Sequence, residues 1–210
     1  MGKNNAVFAW YIQSLYLSLH RKINSKVKMD IIEIIPNRIY SIKYDDEDAA
    51  EYYRLFNEEW TDVESLLEFF QSHIEFTENE YWGFLGNDPE IAAARVLEDA
   101  NILEPHLKKL ADNSENGEQP DLETYFKPLN GKYGYDIEHI PVKGYGVLES
   151  TFLRLYAIRL EANCYLIVYG GIKLNSSIQN SPGLQENVFK KIDKVKQYLV
   201  DECIIDKDDI

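Results

Sequence analysis

The sequence predicts an α+β fold: N-terminal helices, then a small antiparallel β-sheet of about four strands, then a C-terminal helix packed on the sheet. Three observations predict it. Apolar residues recur at helical spacing through much of residues 46–111. Two apolar and aromatic runs, TFLRLYAIRL (151–160) and CYLIVYGGIKL (164–174), are separated by Glu161, Ala162 and Asn163, a connection short enough for an antiparallel hairpin. The segment LQENVFKKIDKVKQYL (184–199) spaces Leu184, Val188, Ile192, Val195 and Leu199 along one helical face.

Taken in order, residues 1–28 form an N-terminal extension that carries an apolar stretch from Ala6 to Leu19. That stretch is too short for the about 20 helical residues that span a bilayer, and basic residues follow it where a signal-peptide cleavage site belongs. Two main readings stand for it: an extension upstream of a natural start at Met29, or an ordered helix.

Residues 29–111 form an acidic, mainly helical region. It opens with a β-like segment from Ile31 to Tyr44 around Pro36. Asp45, Asp46, Glu47 and Asp48 then place negative charge at the start of a helix through about Glu59, where the macrodipole favours it. Thr61 and Glu64 form a capping-box pattern ahead of Val63, Leu66, Leu67, Phe70 and Ile74. Asp88 before Pro89 opens a third helix, which Pro105 is expected to end or kink. Residues 112–210 then carry the sheet and the last helix, as one core with the preceding region. The polar stretch 111–121 reads as a loop or linker, and 130–146, with four glycines, as turns and a short hairpin.

Charge and motif content narrow the function. The chain has 210 residues and a formal net charge of -14. The charge is uneven: 25 acids and 7 bases lie in residues 29–130, against 6 acids and 9 bases in residues 131–200. A mildly basic C-terminal third is the asymmetry expected where one part of a chain meets an anion. The two cysteines, Cys164 and Cys203, carry no metal or redox motif and read as reduced residues of a cytoplasmic protein. Neither GxGxxG nor a Walker pattern occurs, the four histidines lack metal-ligand spacing, and no nucleophile motif or acid/base pair marks a small-molecule enzyme. No metal and no cofactor are expected.

The order of FKPLNG (126–131), RLYAIRL (154–160), YGGIK (169–173) and SIQNSPGLQENVFKKIDKVKQYL (177–199) resembles the RelE/HigB-like superfamily of bacterial toxins, with 132–151 as an insertion. The resemblance implies a curved antiparallel sheet with helices on one side, and a metal-independent endoribonuclease component of a toxin-antitoxin system. Its partners would be RNA or the ribosome and a cognate antitoxin protein. The family's strand arginine falls on Arg159 and its lysine on Lys173; Arg154, Tyr156 and Tyr169 are neighbours. Two departures stand out. Lys173 is followed by Leu174 where many relatives carry a second lysine, and a long acidic region precedes the motif although such toxins are typically small and basic. The alternative reading is a non-enzymatic, protein-binding member of the same fold whose acidic helices engage a basic partner.

Metal-free RNA cleavage needs positive charge at the scissile phosphate and a group that moves a proton. Arginine supplies a charged fork, whereas lysine and tyrosine, which titrate near 10, need a depressed pKa to act as base. The candidate catalytic residues are therefore Arg154, Arg159, Lys173, Tyr156 and Tyr169, and the candidate RNA-binding residues are Lys190, Lys191 and Lys194. A two-residue hairpin loop predicts the pairs Glu161:Cys164, Arg159:Leu166, Tyr156:Tyr169 and Phe152:Lys173. Arg154, Tyr156, Tyr169 and Lys173 then share one face, and Arg159 lies on the other with Leu166 and Val168. His139 titrates in the range of a proton shuttle but lacks a partner in the sequence.

Overall fold

The computed structural model describes residues 28–76, 87–129 and 139–210. The extension before Lys28, with its apolar stretch, lies outside these residues, as do 77–86 and 130–138. The chain starts with two strands: β1 (Met29–Ile35) and β2 (Ile39–Tyr44) pair antiparallel across a turn at Pro36. Helix α1 (Glu51–Arg54) continues as a π-helical turn over Leu55–Glu59, followed by α2 (Val63–Ser72), α3 (Pro89–Asn116) and the short α4 (Leu122–Tyr125). Then come β3 (Lys127–Pro128), β4 (Ile140–Tyr145), β5 (Leu153–Glu161), β6 (Cys164–Ile172) and the C-terminal helix α5 (Asn187–Asp201). The fold is α+β.

The six strands form one sheet in the order β1-β2-β6-β5-β4-β3. It is larger than the four antiparallel strands expected, and it is mixed, because β2 runs parallel to β6. Helices α1 to α4 cover one face, where Tyr52, Leu55, Trp60, Phe70, Leu103 and Leu107 meet Leu153, Leu155, Ala157, Tyr165 and Ile167. Helix α5 covers the other through Val188, Ile192, Val195 and Leu199, packed on Tyr44, Tyr156, Ile158, Leu166 and Val168. Burial of a sheet on both faces explains why β6 is apolar throughout rather than alternating.

Local chemistry accounts for the helix boundaries. Asp62, rather than Thr61, caps α2: its Oδ1 accepts from the backbone N–H of Glu64 (3.0 Å) and Ser65 (3.3 Å). Asp88 caps α3 with Pro89 at the first helical position, as its sequence predicts. Pro105 does not end this helix, which runs on to Asn116 and stops at Gly117 in the left-handed conformation (φ 70°). The proline forfeits one backbone hydrogen bond, but Leu103, Leu107, Leu110 and Ala111 keep the same face buried across it. Residues 111–116 are therefore helix and not loop. The acidic run Asp45–Asp48 lies in the turn ahead of α1, whose N-cap is Ala50.

The β5–β6 hairpin pairs Glu161 with Cys164 and Tyr156 with Tyr169, as expected. Between these points the register shifts twice. Arg159 faces Tyr165 instead of Leu166, because Val168 is an extra residue on β6 and Leu160 an extra one on β5. This bulge moves Leu166 and Val168 to the α5 face and gives Tyr165 and Ile167 to the Arg159 face. Gly170 marks a close approach: a Cβ there would collide with Leu55 and reach 3.0 Å from the Trp60 ring. Its N–H donates to Oε1 of the fully buried Glu51 (3.1 Å).

Candidate functional site

Beyond the Tyr156:Tyr169 pair the hairpin keeps the expected register, and this sets which side chains meet at its end. On β5, Arg154 and Tyr156 point to the α5 side, opposite Tyr145 and Lys143 of β4, which pair with them in register. Lys173 follows directly after β6. Together these five side chains line an open cavity of about 230 Å³, closed at the far side by Ser176, Ile178, Gln179 and Phe189. The cavity thus brings three cations, Lys143, Arg154 and Lys173, beside two phenols. No Asp or Glu lines it among the described residues.

Arg154 is built into the fold. It is 5 % exposed, its Nη1 donates to the carbonyls of Thr151 (2.9 Å) and Leu153 (2.6 Å), and its guanidinium lies 4.4 Å from the centre of the Tyr145 ring. The loop that carries Thr151 is itself clamped by buried Asp99, which accepts from the N–H of Val147 (2.6 Å) and Leu148 (3.0 Å) and from the Thr151 hydroxyl. A side chain at Gly146 would run into this carboxylate, so the tight passage around it requires glycine. Lys173 Nζ donates to the Ser176 carbonyl (2.7 Å), and Lys143 Nζ lies 5.9 Å from the Tyr145 ring.

The electrostatics follow from this crowding. Desolvation, then the positive charges of Arg154 and Lys143, hold the Lys173 ammonium below the ordinary lysine range. Burial pushes the Tyr156 phenol up, against the positive influence of Arg154. Lys173 is the group disposed to lose a proton, and Tyr156 is disposed to keep one. An anion in the cavity offsets the repulsion among the cations and pulls Lys173 back up.

Linkage gives a sign. Anion affinity holds at pH values where Lys173 is protonated in the free protein, and falls as pH rises through its depressed pKa. That fall comes earlier than an ordinary lysine at about 10.4 would produce. Sulfate, which stays doubly charged across this range, is the suitable probe. Calorimetric titration is expected to show the decline at lower pH in the wild type than in Lys173→Met, where only Lys143 is left to titrate.

The remaining sequence candidates lie elsewhere. Arg159 is on the α4 face, where its Nε donates to Glu123 (3.0 Å), whose other oxygen accepts from Tyr165 (2.9 Å). Tyr169, paired with Tyr156 across the hairpin, does not line this cavity. Its hydroxyl donates to the Gly183 carbonyl (3.0 Å), and it lines a second, largely apolar cavity of about 170 Å³ with Leu66, Phe69 and Glu59. Burial chiefly pushes the Tyr169 phenol up to about 12. Lys191 is engaged internally with Glu47 (3.1 Å) and Glu51 (3.6 Å), in a network that also holds Arg54 and Glu59. Lys194 lies 5.2 Å from the Tyr44 ring, and Lys190 is exposed on α5. His139 is buried, and its Nε2 has no hydrogen-bond partner among the described residues.

Comparison with protein-family models, curated proteins and solved structures finds no match to this chain. The site is therefore read from its own chemistry. Lys143 and Tyr145 are the members that the sequence reading missed. Their signal was the i, i+2 spacing in IPVKGYG, which sets both on one strand face, inside a stretch read as turns. Among the described residues, no cluster of three or more His, Cys, Asp or Glu is placed to hold a metal ion, and no helix is long and apolar enough to cross a membrane.

Proposed function

We propose that the cavity binds a phosphate of RNA and that the protein is a toxin-like endoribonuclease component of a toxin-antitoxin system. The convergence of Lys143, Arg154 and Lys173 in one concavity carries this reading. Clustered lysine and arginine with interleaved aromatics is the chemistry that takes a phosphate backbone. The cavity is smaller than the roughly 300–1,000 Å³ of sites that enclose a whole small ligand. It suits one phosphate and its sugar, with the rest of a larger ligand outside.

The chemistry assigned to these residues balances without a co-reactant. Lys173, in the neutral form that burial and its crowding with Arg154 and Lys143 favour relative to an ordinary lysine, takes the proton of the ribose 2′-hydroxyl. The 2′-oxygen bonds to phosphorus, and the bond to the 5′-oxygen breaks. The Tyr156 hydroxyl returns a proton to that leaving oxygen, giving a 2′,3′-cyclic phosphate and a 5′-hydroxyl. Lys143 and Arg154 oppose the charge that grows on the phosphoryl oxygens, the kind of stabilisation worth about 10²- to 10³-fold per donor.

The test is cleavage of RNA by the full chain, with and without ribosomes, together with growth arrest on expression. Lys173→Met is expected to lower cleavage by about 10² or more. A folded wild-type protein that neither cleaves RNA nor slows growth contradicts the nuclease assignment. The alternative is that the acidic helices recruit a basic protein partner; Glu47, Glu51 and Glu59 are engaged internally by Arg54 and Lys191, so such a partner would meet the other acids of the region.

A further inference from the structure

Tyr145 stands apart from the other residues of the cavity. It is 38 % exposed, whereas Tyr156 beside it is 1 % exposed. It sits on β4 directly opposite Arg154, and its backbone carbonyl accepts from the Tyr125 hydroxyl (2.6 Å), so the strand that presents the ring is tied to α4. Arg154, fixed by its two carbonyl contacts, lies against the ring at 4.4 Å. The result is a braced aromatic surface at the mouth of a cation-lined cavity too small to enclose a nucleotide with its base.

We infer that Tyr145 is the platform on which an unpaired base stacks while the adjoining phosphate enters the cavity, so that the ligand is single-stranded RNA. This rests on the phosphate-site reading above. Every base offers a π-face to such a platform, so it sets strandedness rather than sequence. In a duplex the bases are already stacked on their neighbours and paired, and none can lie flat on Tyr145 without leaving the helix. The lysines and Arg154 contact the phosphate whatever the base, so the two contributions separate by experiment.

The experiment measures binding to the full chain of a short labelled single-stranded RNA, the same strand with abasic sites, and its duplex. Three variants accompany the wild type: Tyr145→Leu, Tyr145→Phe, and the double variant Lys143→Met, Lys173→Met. Tyr145→Leu is expected to weaken binding of the base-bearing strand by roughly 5- to 150-fold, the worth of one stacked base. Tyr145→Phe keeps the ring and is expected to bind as the wild type does. The abasic strand is expected to bind wild type and Tyr145→Leu equally, and the duplex to bind the wild type more weakly than the single strand.

The platform is overturned if Tyr145→Leu leaves the base-bearing strand unaffected, if it weakens the abasic strand equally, or if the duplex binds as well as the single strand. A different result overturns the phosphate site itself. In that case the wild type binds no strand, or the double lysine variant binds as the wild type does.

Discussion

The double variant Lys143→Met, Lys173→Met is expected to bind single-stranded RNA about 100-fold or more weakly than the wild type, with no loss of thermal stability. Each lysine that reaches a phosphate oxygen makes a charge-assisted hydrogen bond worth about 1.5–3 kcal/mol, and two of them exceed a factor of about 100 even when their contributions overlap. Methionine keeps an apolar stem of similar length, so the apolar lining of the cavity changes little. Loss of the Lys173 contact to the Ser176 carbonyl is offset by a second effect. Because the folded state holds the Lys173 pKa below its ordinary value, its charge penalises the fold at neutral pH. That penalty fades as pH rises through the depressed pKa, and methionine removes it. A binding loss with an unchanged melting temperature assigns the effect to charge in the cavity. Arg154→Ala is a poorer probe, because Arg154 also satisfies the carbonyls of Thr151 and Leu153 and its removal disturbs the loop.

The largest stability effect is expected at Asp99. Its buried carboxylate accepts from two consecutive backbone N–H groups, Val147 and Leu148, and also from the Thr151 hydroxyl. In Asp99→Ala those donors lose a charged partner inside the protein. The cost is about 3 kcal/mol or more, which moves a urea midpoint by roughly 1–3 M for the slopes typical of small proteins. The consequence extends to function. The clamped loop runs from Tyr145 to Leu153, and its Thr151 carbonyl holds Arg154. RNA affinity is therefore expected to fall even at temperatures where the variant is still folded. A midpoint shift below about 0.3 M contradicts the clamp.

Much of the local structure was legible. The Asp88-Pro89 start of α3, the buried face of α5 and the Tyr156:Tyr169 pairing all rest on short-range rules of capping, helical period and hairpin connection. What the sequence concealed was non-local. The parallel pairing of Ile39–Ser41 with Tyr165–Ile167 joins segments far apart in the chain, and no local pattern announces it. The Val168 bulge is likewise chosen by packing: it lets Val168 and Tyr169 both face α5. Pro105 reads as an end or a kink on local propensity alone, and the helix runs past it because Leu107, Leu110 and Ala111 bury the turns beyond.

The site divides in the same way. Arg154, Tyr156 and Lys173 were placed on one face by alternation along the hairpin, and the structure brings them into one cavity. Tyr169 shares their strand face, but its hydroxyl donates to the Gly183 carbonyl and it lines the neighbouring apolar cavity instead. Lys143 and Tyr145 lie in a strand that reads as turns because Gly144 stands between them and Gly146 follows. The lysines of α5 looked like an RNA-binding surface. Lys191 instead neutralises Glu47 and Glu51, a pairing between the two ends of the chain that only the fold creates.

The most direct test of the phosphate site is the salt dependence of single-stranded RNA binding, measured for the wild type and for Lys143→Met, Lys173→Met. Each phosphate neutralised contributes a slope of about -0.7 in log affinity against log salt for a single strand. Both lysines serve the one phosphate in the cavity, so the double variant is expected to lose up to roughly 0.7 of the wild-type slope along with its affinity. An unchanged slope, with RNA still bound, would place the phosphate contacts elsewhere on the protein and contradict the site.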